Sequence, residues 1–138
     1  MLAGEGLGMG DSRKQIVLVV DDELVNLTLI RAMLEDQGYQ VVTALGPIEA
    51  LRIWRELRGD VDVVLTDMVM PDMTGCDLFY KLRASKPDLR LAVVSGQPCG
   101  AEGDRMLADG ALGWLQKPFT MPQLARLVER ASGARVAS

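Results

Sequence analysis

From Gln15 onward the sequence alternates short aliphatic, β-branched runs with longer stretches of helical period, and it completes that alternation five times. Two of the runs, IVLVV at Ile16 to Val20 and VDVVLT at Val61 to Thr66, are nearly unbroken in apolar character. A strand with one face in water alternates apolar and polar residues, so an unbroken run suits a strand covered from both sides. Parallel strands need long crossovers, and helices in those crossovers supply the covering layers. The pattern predicts an α/β fold with a doubly wound parallel sheet. Its expected strands are Ile16 to Val20, Gln40 to Ala44, Val61 to Thr66, Arg90 to Val94 and Gly113 to Gln116.

The intervening segments carry apolar stripes at helical spacing. Leu27, Ile30, Met33 and Leu34 form one, ending at Gly38, a residue suited to the left-handed position after a helix. Ala50, Leu51, Trp54 and Leu57 form a second, ended by Gly59. Leu78 and Leu82 mark a third, which stops near Ser85 because Pro87 disfavours helical backbone in the residue before it. Ala101 to Ala108 is the weakest, with Gly100, Gly103 and Gly110 in or beside it, whereas Met121, Leu124, Leu127, Val128 and Ala131 make a clear fifth. Such stripes predict core and say little about function. Met68, Met70 and Met73 read the same way, as adaptable packing around an acidic loop.

At 138 residues the chain suits one core, placed at 15–134, with a glycine-rich flexible leader over 1–14 and a tail over 135–138. No apolar run approaches the roughly 20 residues of a membrane helix. A net charge of -4, with lysines and arginines scattered along the chain, argues against a nucleic-acid footprint. Cys76 and Cys99 are too few for a zinc site without histidines or for a secreted disulfide framework, which predicts a reducing, cytoplasmic setting. Histidine is absent altogether. That removes the side chain most used for proton transfer near neutral pH and the commonest nitrogen ligand of zinc. Chemistry here must rest on carboxylates, hydroxyls and lysines.

In an open parallel sheet the place to look is the carboxyl end of the strands. The first expected strand ends in Asp21, Asp22 and Glu23, the third in Asp67, the fourth in Ser95 and the fifth in Lys117 followed by Pro118. Any one of these has an ordinary reading, such as helix capping for Asp21 or Asp22. Together they would bring three aspartates, a hydroxyl and an ammonium into one cleft. Clustered carboxylates repel unless a cation sits among them. Mg²⁺ suits the set, since it takes one or two carboxylates, several waters and a phosphate oxygen, whereas Ca²⁺ wants a larger cage of oxygens. With the metal in place, a carboxylate can attack phosphorus to form an acyl phosphate, while the lysine and hydroxyl neutralise and position the incoming group.

The segments VLVVDDE, LTDMVMPDMTG, AVVSG and GWLQKPF, in that order, strongly resemble the receiver domain of two-component response regulators. The resemblance covers nearly the whole chain after the leader. It implies a (βα)5 flavodoxin-like sheet of strand order 2-1-3-4-5 and a domain that takes a phosphoryl group from a phosphohistidine of a sensor kinase or phosphotransfer protein. It implies Asp67 as phosphoacceptor, Asp22 as direct Mg²⁺ ligand, Asp21 as a ligand acting largely through water, and Val69 as donor of a backbone carbonyl to the metal. Ser95 is implied as the switch hydroxyl, Lys117 as the residue that binds the phosphoryl group, and Lys117–Pro118 as a cis peptide. Trp114 stands where most members carry the tyrosine or phenylalanine that turns inward on activation. Val69 and Gln97 flank the expected path of water and are implied to tune the lifetime of the phosphoryl group. Output would run through helix four, strand five and helix five to a protein partner or output domain, with a homodimer among the assemblies allowed. The wording of the third-strand loop and of GWLQKPF is similar to receivers of hybrid kinases.

Three rivals share parts of this pattern. A Mg²⁺-dependent phosphatase with an aspartate nucleophile would need a second acid two residues on, where Val69 stands. A dinucleotide or flavin module would need a glycine-rich first turn, which here reads DDELVN. A pseudo-receiver that binds partners without phosphorylation would have no use for the full set of acids, serine and lysine.

Overall fold

The structure, a computed structural model, describes residues 14–133. All but Lys14 of the expected leader, and the whole expected tail, lie outside the described residues. In chain order the elements are β1 (Ile16–Asp21), α1 (Leu24–Asp36), β2 (Gln40–Leu45), α2 (Pro47–Glu56), β3 (Val63–Thr66), α3 (Gly75–Ser85), β4 (Leu91–Ser95), α4 (Gly100–Ala108), β5 (Trp114–Gln116) and α5 (Met121–Ser132).

The strands form one parallel sheet in the order β2-β1-β3-β4-β5. Along β1 the side chains alternate between two cores. Leu18 and Val20 join Val64, Leu91 and Val93 under α2, α3 and α4, while Val17 and Val19 join Val63, Leu65, Ala92 and Val94 under α1 and α5. The unbroken apolar runs are thus explained, since each strand feeds both faces. A fully covered valine or leucine contributes about 1.5–3 kcal/mol, and all of β3 and β4 is buried.

Three strands start later than the sequence pattern suggests, at Val63, Leu91 and Trp114. β3 begins at Val63 because Val61 and Asp62 close the turn before it: the Val61 N–H donates to the Gly59 carbonyl, and the Asp62 carboxylate accepts from the Ile16 N–H at 2.7 Å. β4 runs one residue further than expected, so that Ser95 itself pairs with Gln116. The weak fourth helix is present over nine residues.

The neighbouring helices are firmly started. Thr74 with Asp77, and Thr120 with Gln123, form reciprocal capping boxes at the beginnings of α3 and α5. Both cysteines are free thiols. Met68 and Met70 are buried and pack in the α2–α4 core, with Met73 against it.

Candidate functional site

The order of strands reverses between β1 and β3, the position at which a doubly wound sheet opens a crevice at its carboxyl end. Asp21 ends β1 and Asp67 follows β3, so the two carboxylates flank that crevice. Asp22, Asp67, Ser95 and Lys117 line one cleft of about 350 Å³ together with Glu23, Asn26, Val69 and Gln97.

Asp21 is 2% exposed and is held from several directions. Its Oδ1 accepts from the Glu23 N–H at 2.9 Å, the Asn26 amide reaches both of its oxygens, and Lys117 Nζ lies 3.0 Å from Oδ2. It does not cap α1: the position before that helix is Glu23, and no side chain caps it. Asp67 is placed by its own backbone, whose N–H donates to the Val20 carbonyl, while its Oδ1 accepts from the Met68 N–H at 2.7 Å. Lys117 Nζ is 3.6 Å from Asp67 Oδ2 and so stands between the buried Asp21 carboxylate and the half-buried one of Asp67.

Burial pushes the Asp67 carboxyl above the ordinary aspartate range; Asp21 and Asp22 push the same way, while Lys117 and the Met68 N–H pull it down. One ammonium therefore leaves this cleft short of positive charge. Oxygens of Asp21, Asp22 and Asp67 all lie within 4.8 Å of one another. Three hard oxygen donors so disposed, with one of the three carboxyls held above its usual range, fit a Mg²⁺ ion that keeps part of its water shell.

The loop after Asp67 is shaped by Gly75, the first residue of α3. Its N–H donates to the Met68 carbonyl at 2.8 Å, and a β-carbon there would run into the Asp67 carbonyl oxygen. Val69 is exposed at the cleft wall.

On the other wall Ser95 is fully buried, and its Oγ accepts from the Gln97 N–H at 3.1 Å. The Ser95 carbonyl takes the Lys117 N–H, which ties the end of β4 to the end of β5. Lys117–Pro118 is cis. Trp114 is half-buried, and its indole N–H donates to the Gln97 carbonyl at 3.0 Å. The ring lies over Gly103 of α4, where a β-carbon would come within 2.7 Å of it.

Among the sequence candidates, Asp21, Asp22, Asp67, Val69, Ser95, Gln97 and Lys117 meet around the cleft, with Trp114 one hydrogen bond behind it. Sequence reasoning missed Asn26 and Gly75, and named Glu23 at the end of the first strand without giving it a role in the site. Asn26 could have been found from its place in the first turn of α1, beside the aspartates. Gly75 leaves no such trace, because its need is set by the approach of another segment's backbone.

With this geometry in hand, the profile of the response regulator receiver domain matches residues 17–129. The chain belongs to that family. It is 41% identical over 114 residues to sensor kinase CckA of Brucella abortus, covering 83% of this chain and 12% of that protein. It is 35% identical over 116 residues to the DNA-binding transcriptional regulator NtrC of Azospirillum brasilense, covering 83% of this chain and 24% of that one. This receiver domain therefore spans a quarter or less of these curated relatives. Among solved structures, a receiver domain protein of Clostridium thermocellum superposes with a TM-score of 0.81 at 32% identity, covering 86% of this chain and 94% of that one. Chemotaxis protein CheY4 of Vibrio cholerae gives a TM-score of 0.78 at 30% identity, covering 86% and 99%. Among the described residues no helix is long and apolar enough to cross a membrane.

Proposed function

We propose that this receiver accepts a phosphoryl group on Asp67 from a phosphohistidine carried by a histidine kinase or phosphotransfer protein, in a Mg²⁺-dependent reaction in the cytoplasm. The observation that carries the reading is Lys117 Nζ set within 3.6 Å of Asp67 and 3.0 Å of Asp21 at the head of a three-carboxylate cluster. An Asp67 oxygen attacks phosphorus, the bond from phosphorus to the donor imidazole breaks, and the imidazole leaves with the electron pair. Asp21, Asp22, Asp67 and the Val69 carbonyl would hold Mg²⁺, which neutralises charge on the transferring oxygens. Lys117 then turns from Asp21 toward the new phosphoryl oxygens, and Ser95 Oγ donates to another.

The chain has no histidine, so the donor lies outside these 138 residues. A protein donor must touch the rim of the cleft. Val69 is exposed in the lining of that cleft, and Leu24, Val25 and Leu29 are exposed on α1, the helix whose first turn carries Asn26 into the same lining; such apolar side chains suit a protein partner.

Readout follows the atoms already tied together. Withdrawing Ser95 Oγ toward the phosphoryl group frees the Gln97 N–H, shifts the loop that holds the Trp114 indole, and so moves α4 against β5 and α5. Those three elements present the switched face to an output domain or partner. Of the two relatives named above, the sensor kinase is the more similar in sequence, and this supports an origin in a hybrid histidine kinase. Val69 and Gln97, on the walls of the cleft, tune the lifetime of the acyl phosphate; Val69→Asn and Gln97→Ala are each expected to change the dephosphorylation half-life.

The test is labelling by a small phosphodonor. Acetyl phosphate with Mg²⁺ labels the protein once, at Asp67; EDTA or Asp67→Asn abolishes the label. Full labelling of Asp67→Asn would overturn the assignment.

A further inference from the structure

At the end of the sheet remote from Asp67, α2 and α3 splay apart over a cleft of about 760 Å³. Leu51, Trp54 and Leu82 form its apolar floor, and Arg55, Arg58 and Lys81 stand exposed on its rim. None of these three cations has an ion-pair or side-chain hydrogen-bond partner among the described residues. Arg52, one turn away on α2, is by contrast bound to Glu49 and Glu56. Lys86 adds charge at the base, its Nζ bonded to the Gly59 and Val61 carbonyls and 5.9 Å from the Trp54 ring centre. Asp60 is the single carboxylate of the lining. A protein of net charge -4 thus concentrates four cations around one concave site.

Arg58 supplies a second, independent sign. α2 ends in a Schellman turn: the Gly59 N–H donates to the Trp54 carbonyl and the Arg58 N–H to the Arg55 carbonyl. The residue at the left-handed position of this turn is usually glycine. Here it is Arg58, at φ 54°, with Gly59 following at φ 69°. A β-carbon is disfavoured in that conformation. An arginine kept there, beside a cleft of unpaired cations, points to a use for its guanidinium.

We propose that this cleft binds a small organic anion with at least two negative charges on an apolar body, the class of the nucleoside polyphosphates. The volume suits a small ligand. The floor takes the apolar body, and the rim takes the phosphates through charge-assisted hydrogen bonds. An acidic protein segment would have no need of the floor.

The experiment titrates ATP and inorganic tripolyphosphate into the isotope-labelled full chain and follows backbone amide shifts. EDTA is present throughout, so that no divalent cation draws the nucleotide to the aspartates. Saturable shifts are expected in residues 51–60 and 81–86, with ATP binding more tightly than tripolyphosphate. Arg58→Gly and Lys81→Glu are each expected to weaken ATP by about tenfold, one charge-assisted contact. Arg58→Gly does so while raising the thermal midpoint, so weaker binding cannot be ascribed to a damaged fold. Shifts absent at millimolar ATP, equal affinity for the two anions, or affinity unchanged in both variants would overturn the proposal. So would a glutamate-rich peptide that binds these same amides more tightly than ATP, which would assign the cleft to a protein partner. Labelling of Asp67 serves as the separate control, since its success or failure leaves the titration unaffected.

Discussion

Lys117 Nζ lies closer to Asp21 Oδ2, at 3.0 Å, than to Asp67 Oδ2, at 3.6 Å, so its charge is shared unequally in favour of the more deeply buried carboxylate. Removing it leaves the three aspartates with no ion-pair partner among the described residues. Lys117→Met is expected to lower stability by about 2 kcal/mol in EDTA, below the range for breaking a fully buried pair because the lysine is partly solvated. Millimolar Mg²⁺ should recover much of that loss, and phosphoryl labelling should fall at least about tenfold. Urea denaturation with and without Mg²⁺ measures the first effect. Equal loss in both conditions would show that Lys117 is not balancing the carboxylates.

The raised Asp67 carboxyl fixes the sign of a pH dependence in the metal-free protein. Burial comes first among its causes, so at pH values between the ordinary and the raised range the folded state keeps a proton that the unfolded chain has released. Stability from this group is fully present below the ordinary aspartate range and declines as pH rises through the raised folded value. Asp67→Asn is expected to remove that decline and to be more stable than the parent at pH 7 in EDTA. Thermal midpoints from pH 4 to pH 7 check this; a parent no less stable than Asp67→Asn at pH 7 would contradict it.

Gly75 leaves no room for a β-carbon beside the Asp67 carbonyl. Gly75→Ala must shift either α3 or the Asp67 loop, at a cost of about 1–3 kcal/mol for overpacking. Because the loop also carries the nucleophile, Mg²⁺ affinity and labelling rate should fall along with stability. Isothermal titration with Mg²⁺ separates the two: unaltered affinity would place the strain entirely in the helix.

At Gly103 a β-carbon would meet side chains instead of backbone, those of Cys99 and Trp114. Gly103→Ala is expected to displace the indole from α4 and loosen its hydrogen bond to Gln97. In a Trp54→Phe background, which leaves Trp114 as the only tryptophan, this reads as a red-shifted emission. The additional change Trp114→Phe should relieve most of the accompanying instability. If the two substitutions prove additive, the contact is not a coupling between helix and strand.

The sequence made much of this legible, and the limits have physical causes. Unbroken runs such as IVLVV could only be strands with two cores beneath them, and Val17 and Leu18 do face opposite layers. The same periodicity delivered Asp21, Asp67, Ser95 and Lys117 to one end of the sheet. It could not reveal Gly75 or Gly103, since the crowding at each appears only on folding, from the Asp67 backbone at one and from the Cys99 and Trp114 side chains at the other. Nor could it place the start of β3, where the Asp62 carboxylate captures the Ile16 N–H before the ladder begins. Arg58 escaped for a related reason: Gly59 beside it reads as the helix terminator, and the left-handed arginine is visible only in the backbone.

The capping boxes that start α3 and α5 have no counterpart on α4, which starts from Cys99 without a side-chain cap and carries two glycines in nine residues. Besides the buried Met106, a few ties hold it: Tyr80 to Asp109 just past its end at 2.6 Å, Arg105 to the Cys76 sulfur, and the indole over Gly103. Little free energy separates such a segment from local opening, so its amides should exchange with solvent sooner than those of its neighbours. A displacement of one serine hydroxyl then has leverage, because the helix it must release starts without a side-chain cap and carries two glycines.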